Sequence, residues 1–207
     1  MINKQRLERV IANMWVIAAL SVLALAVCIE RAIFFCRAST DPEKLETEFG
    51  KAISTGGEAA ARKVVAASDS SMHRLFRAAL VHWGLDREDM QALVEQEVRK
   101  EVYRWEKNIF ILELVGKLAP LLGLLGTVLG EVEMFQSLHM NGQISAAAVT
   151  GGIWKALFTT VAGLVVAIPT IFMHGFFMSR IDSVEETLER GGDYLVREHF
   201  GAKNETK

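Results

Sequence analysis

The chain has 207 residues, 51% of them apolar, with 23 Lys and Arg against 25 Asp and Glu and a formal charge of −2. Length alone would allow one compact domain, but the interspersed, nearly neutral charge leaves no basic footprint for nucleic acid. The apolar residues gather into three blocks, 10–29, 118–135 and 146–178, each near or above the ~20 residues a helix needs to cross a bilayer core.

The first block follows Lys4, Arg6 and Arg9, as a secretory leader would. Its apolar run exceeds the ~7–15 residues of such a leader, and "CIERAIFFCR" follows in place of a small-x-small cleavage pattern, so it reads as a retained transmembrane helix. Cys28 and Cys36 have no His or Cys cluster around them and read as reduced packing residues, neither a disulfide nor a metal site.

Beyond this block, pieces 43–66 and 71–83 read as short helices broken at "STGG" and "SDSS". From Asp86, a fitting N-cap, apolar residues Met90, Val94, Val98, Val102, Trp105 and Ile109 recur every three or four positions. No terminator separates this stripe from the second block, which predicts one helix running unbroken into the second span. After the third block Ile181, Val184 and Leu188 continue a stripe that the "GG" at 191–192 is expected to interrupt. No strand pattern, internal repeat or low-complexity run is visible.

The expected fold is an all-α membrane protein with three transmembrane helices, spans two and three extending into a cytoplasmic helical bundle. Its segments are an N-terminal tail with the first span (1–36), a cytoplasmic helical region (37–109), a transmembrane hairpin (110–178), and a cytoplasmic C-terminal helix and tail (179–207). The "LHMNGQISAAAVT" loop has no Lys or Arg, whereas Arg37, Lys44, Arg99, Lys100, Arg104, Lys107, Arg180, Arg190 and Arg197 flank the opposite ends of the spans. By the positive-inside rule the long segment and the C-terminus are cytoplasmic and the N-terminus is periplasmic, although Lys4, Arg6 and Arg9 oppose this.

In an antiparallel hairpin, residues whose numbers share a common sum lie at similar depth. With the loop midpoint near 143–144 that sum is about 287 at the usual helical rise. Thr127 then falls level with Thr160, Glu131 and Glu133 with Lys155, Glu113 with His174, and Pro120 close to Pro169. The polar residues thus form an outer charged layer, a hydroxyl layer and an inner titratable layer. Each threonine alone would simply bond one turn back in its own helix, but two at one depth favour a shared polar surface facing a pore or a partner. Gly123, Gly126, Gly130 and Gly163 are expected to permit close helix packing. Lys155 is expected either to snorkel to the interface or to pair with Glu131 or Glu133. Between the two charged layers there is no Asp, Glu or His, and a threonine hydroxyl holds no transferable proton near neutral pH. A proton carrier built on this hairpin needs its acceptor from another chain.

The ordered motifs "APLLGLLGTVLG" at 119–130 and "GGIWKALFTTVAGLVVAIP" at 151–169 resemble the paired signature of the MotA/TolQ/ExbB proton-channel family, nearest its ExbB and TolQ branches. Glu30-Arg31, closing the first span, suits the same branch. The resemblance covers about half the chain. It implies a ring-forming homopentamer in the bacterial inner membrane, with spans two and three around a pore and Thr127 and Thr160 facing it. Within that pore it implies the helices of an ExbD- or TolR-like single-span partner carrying a membrane aspartate, and a TonB- or TolA-like transducer. It implies no cofactor. The chain departs from the family at Lys155, where related chains usually carry an acid, and in the acidic pair after Gly130.

Within that family a TolQ-like or gliding-motor stator is the alternative, whereas MotA-like chains have four spans against three here. A non-conducting membrane scaffold would share the glycine packing. An enzyme is not expected, since His73, His82, His139, His174 and His199 are scattered and no phosphate loop is present. The energy source is then an ion gradient, and one charge crossing ~100 mV releases roughly 2.3 kcal/mol, so useful work needs several ions per stroke.

Overall fold

The computed structural model describes residues 2–38, 41–141 and 146–204, with side chains over 14–36, 41–132, 134–136, 150–154 and 156–201. Its elements are α1 (Ile2–Ala38), α2 (Pro42–Ala66), α3 (Ser71–Val81), α4 (Arg87–Glu106), α5 (Ile109–Asn141) and α6 (Ala146–Asn204). Among the described residues every regular element is helical. Three stretches, Met14–Cys36, Ile109–Gln136 and Thr150–Gly201, are long and apolar enough to cross a membrane. The chain divides into two compact units, one of residues 1–30 and 108–177, the other of residues 31–107 and 178–207.

In the first unit, α1 buries Ile17, Ala24 and Val27 along one narrow stripe and leaves Trp15, Val22 and Leu25 exposed. Apolar side chains on the outside of such a helix are what a lipid-facing surface requires. Helices α5 and α6 follow the same pattern, with Leu121, Leu124, Val165 and Phe172 exposed while Leu112, Ala119 and Ala167 are buried. Cys28 and Cys36 are free thiols.

The second unit is a small helical bundle whose ends are set by local chemistry. Pro42 opens α2, where its missing N–H costs nothing. Gly57 then takes φ 63° within "STGG" and kinks that helix, a left-handed conformation that glycine adopts without strain. Ser70 caps α3 by accepting from the His73 amide at 3.4 Å, and Asp86 caps α4 by accepting from the Asp89 amide at 2.9 Å. Phe49 and Phe76 meet edge-on at 5.0 Å in the core, and the Tyr194 hydroxyl donates to the Glu46 carbonyl at 3.0 Å.

Beside this core lies an ionic cluster that sequence reading did not single out. Glu101 is 1% exposed and accepts from Arg74 Nε and Arg104 Nη1, each at 2.9 Å. The Glu101 hydrogen bonds hold the Arg74 guanidinium above its already high range. A carboxylate so buried is tolerable only because cations satisfy it on two sides. Trp105 Nε1 donates to Ser71 Oγ at 2.8 Å, and Arg31, itself buried, donates to the Arg104 carbonyl at 3.3 Å.

Two expectations are corrected. The stripe beginning at Asp86 does not run unbroken into the second span: α4 ends at Glu106, Lys107 is extended, and Asn108 sits at φ 65° before α5 begins. Asn is among the few non-glycine residues that enter the left-handed region readily, and its side chain donates to Glu30 at 3.0 Å. Apolar periodicity passes through the break because it records which side is buried, not whether the backbone is continuous. The second correction is at "GG", where α6 continues without interruption to Asn204. Gly191 and Gly192 are both buried, and a Cβ would stand 2.5 Å from Met72 Cε at the first and 2.3 Å from Val94 Cγ1 at the second. These glycines are there for packing.

Gly192→Leu is therefore expected to destabilise the purified protein by about 1–3 kcal/mol through overpacking. Gly201→Ala, in the same helix with nothing within 4 Å of its added Cβ, should leave the melting temperature unchanged or raise it.

Candidate functional site

The hairpin of α5 and α6 is held by contacts too close for ordinary side chains. A Cβ on Gly163 would lie 2.5 Å from the Ala119 carbonyl oxygen and 3.2 Å from Gly123 Cα. One on Gly123 would lie 3.0 Å from Thr160 Cα, and one on Gly130 would lie 3.1 Å from Ala156 Cβ. Further along, Gly152 faces Met134 and Gly116 faces Ile171, with a Cβ at 3.2 and 2.7 Å from the nearest atom. The numbers in the facing pairs 116/171, 123/163, 130/156 and 134/152 each add to 286 or 287. One register therefore runs through the whole hairpin, and it is the register anticipated from the loop midpoint. Gly126 is also buried.

At this crossing the hydroxyls of Thr127 and Thr160 hydrogen-bond each other. Thr127 Oγ1 also reaches the Gly123 carbonyl of its own helix at 3.3 Å and the Ala156 carbonyl of the facing one at 3.2 Å. Thr160 Oγ1 reaches across to the Gly123 carbonyl at 3.2 Å. The bond one turn back thus exists for Thr127, but the cross-helix bonds go beyond it. With one proton on each hydroxyl and more acceptors than protons, the pair can redistribute its hydrogen bonds by rotation alone. Both side chains are half-buried, so the cluster is neither sealed in a core nor open on all sides.

The other anticipated residues fall as follows. Pro120 and Pro169 lie inside α5 and α6, where each removes an N–H from its helix. Glu131 is exposed, while the side chains of Glu133 and Lys155 lie outside the described residues, and with them any ion pair that Lys155 makes. Glu113 and His174 are both half-buried, and Glu113 accepts from Lys117 Nζ at 2.5 Å. Sequence reading passed over Lys117, although a Glu four residues before a Lys is a recognised helical pairing signal. It also passed over Thr159 and Thr170, both buried and each donating to a carbonyl of its own helix at 2.7 Å. Neither carries a signal separating it from ordinary helix packing. Among the described residues no group of three His, Cys, Asp or Glu is placed to hold a metal ion.

Three apolar helices of spanning length, two of them locked by glycine and joined by hydroxyl bonds at one depth, define a multi-pass helical membrane protein. Residues 67–190 match the MotA/TolQ/ExbB proton channel family, and the chain belongs to that family. It is 34% identical to an ExbB-like biopolymer transport protein of Synechocystis over 77% of each chain. It is 36% identical to the biopolymer transport protein exbB1 of Vibrio cholerae over 48% of this chain and 44% of that one. Its identity to the ExbB of Xanthomonas campestris is 38%, over 44% of this chain and 35% of the relative. The chain thus spans less than half the length of the latter two, and these relatives place it with the ExbB and TolQ branches.

If backbone approach sets the register, Gly163→Val should lower the thermal stability of the detergent-purified protein more than Gly175→Val, where a Cβ meets nothing within 4 Å. Differential scanning fluorimetry reads both, and an equal loss for the two would count against the crossing.

Proposed function

We propose that this chain is an ExbB-like subunit of a proton-driven motor of the bacterial inner membrane. It assembles as a homopentamer, with its second and third spans around a central pore. A single-span, ExbD-like partner occupies the pore and supplies the carboxylic acid that α5 and α6 lack at the level of Thr127 and Thr160. Proton flow turns the partner within the ring, and a TonB-like transducer carries the work to outer-membrane transport. The N-terminus is periplasmic and the C-terminus cytoplasmic, in keeping with the basic residues around residues 37–109 and after residue 178.

The observation that carries this reading is the Thr127–Thr160 hydroxyl pair, bonded beside the close Gly123–Thr160 approach of the two backbones. In an apolar span a polar pair is costly unless its hydrogen bonds are made within the protein. This one is satisfied, yet both side chains remain only half-buried. A hydroxyl pair that rotates between acceptors suits the passage of a proton held by a neighbouring acid, and it stores none itself. By sequence, Glu131 and Glu133 on the second span and Lys155 on the third would supply a charged outer layer, acid on one span and base on the other.

A TolQ-like or gliding-motor stator is the alternative within the family, and the neighbouring single-span protein and its transducer decide between these. Co-expression with that neighbour, reconstitution into liposomes and an imposed potential give the test. Partner-dependent proton uptake is expected, reduced by roughly tenfold or more in Thr127→Val/Thr160→Val and retained in Thr127→Ser/Thr160→Ser. Lys155→Glu in the same assay should impair uptake if the outer layer is paired. Uptake equal in the valine variant would remove the threonines from the path, and no uptake from a correctly assembled complex would favour the non-conducting scaffold.

A further inference from the structure

We propose that Glu113 and His174 form the proton-release site at the inner end of the hairpin, an inference that rests on the channel reading above. The Gly116–Ile171 contact fixes the register of this end. Glu113 lies three residues before the first and His174 three after the second, which puts them level on facing helices, both half-buried. Lys117 holds the Glu113 carboxylate at 2.5 Å. The remaining charged group of this unit at this end is Glu30, which accepts from Asn108 at 3.0 Å.

The layer shares its helix faces with the hydroxyl pair. Glu113 precedes Thr127, and His174 follows Thr160, by two heptads, a displacement of about 21 Å along the axis and only about 40° around it. Over that interval Lys117 is the one charged residue of α5, and α6 has none. Pro120 and Pro169 interrupt the same interval, and because proline has no N–H the carbonyls of Gly116 and Val165 are left without their helical donor. Those carbonyls give water molecules acceptors part-way between the two layers.

A Glu–Lys pair four residues apart at the mouth of a span is by itself ordinary surface chemistry. The imidazole level with it on the facing helix makes the arrangement a relay. The proton arriving along the pore is taken by the free lone pair of neutral His174, giving an imidazolium that faces the Glu113 carboxylate. The imidazolium then gives its proton to water on the cytoplasmic side and the neutral ring is restored, while Lys117 keeps its own proton throughout. An imidazole both accepts and releases near neutrality, which neither a lysine nor an isolated carboxylate does.

The test uses the reconstituted complex with its single-span partner, driven by an imposed potential with no pH gradient, both sides being moved together between about pH 6 and 8. Native uptake should slow as pH falls through the ordinary imidazole range, as expected of a path that passes through an imidazole. His174→Gln should lower the rate by roughly tenfold and flatten that profile, with partial rescue by imidazole added on the inner side. Glu113→Gln leaves His174 in place and should move the inflection to lower pH, since the imidazolium loses its counter-charge. A native rate and profile in His174→Gln, or an unmoved inflection in Glu113→Gln, overturns the relay while leaving the channel standing. Absence of uptake in the native complex removes the channel reading and the relay together.

Discussion

The structure depends on the approach of two backbones. At Gly163 there is no room even for a methyl group against the Ala119 carbonyl, and Gly123 faces the Cα of Thr160 under nearly the same restriction. Two helices brought this close expose each other's carbonyls, and that proximity is what allows Thr127 and Thr160 to bond across the seam as well as along it. In water such bonds would compete with solvent. In a bilayer they have no competitor, so the glycine contact and the hydroxyl pair stabilise each other.

The polar chemistry of the hairpin is sparse for the same reason. Each charged or hydroxyl group placed in an apolar span must find its partner inside the protein. Several do so, Thr127 with Thr160, Glu113 with Lys117, and Thr159 and Thr170 with their own helices. The apolar residues left on the outside, among them Leu121, Val165 and Phe172, are suited to lipid or to further copies of the chain. The second unit follows different rules. Its core is largely aliphatic around Phe49 and Phe76, its helices are capped in the manner of a water-soluble bundle, and its most buried carboxylate, Glu101, is held by two arginines.

Much of this was legible in the sequence because an antiparallel hairpin has few free parameters. Once the loop midpoint is placed, a constant sum pairs every residue, and the contacts at Gly116, Gly130 and Gly152 obey it, while Gly123 meets Thr160 one turn away. The breaks at "STGG" and "SDSS" were legible too, since Gly57 and Ser70 act through their own conformations and side chains. The break at Asn108 was hidden because one left-handed residue leaves the apolar stripe unchanged on either side. The "GG" at 191–192 misled in the opposite direction, since the contact that requires those glycines comes from Met72 and Val94, about a hundred residues away in sequence. Burial of Glu101 and Arg31 was out of reach for the same reason. Glu101's bond to Arg74 and Arg31's bond to Arg104 span 27 and 73 residues, and charged residues in a polar segment look solvated until the fold is known.

The central claim is the register that sets Thr127 against Thr160, and a crosslink in native membranes tests it most directly. In a background with Cys28 and Cys36 replaced by serine, Gly130→Cys is combined with Ala156→Cys, whose β-carbons the structure brings within disulfide reach. The account predicts an intramolecular disulfide on mild oxidation, seen by mass spectrometry of the monomer, and none when Gly130→Cys is combined with Thr160→Cys one turn away. A bond in the second pair and not in the first would contradict the register, and with it the pairing of the threonines.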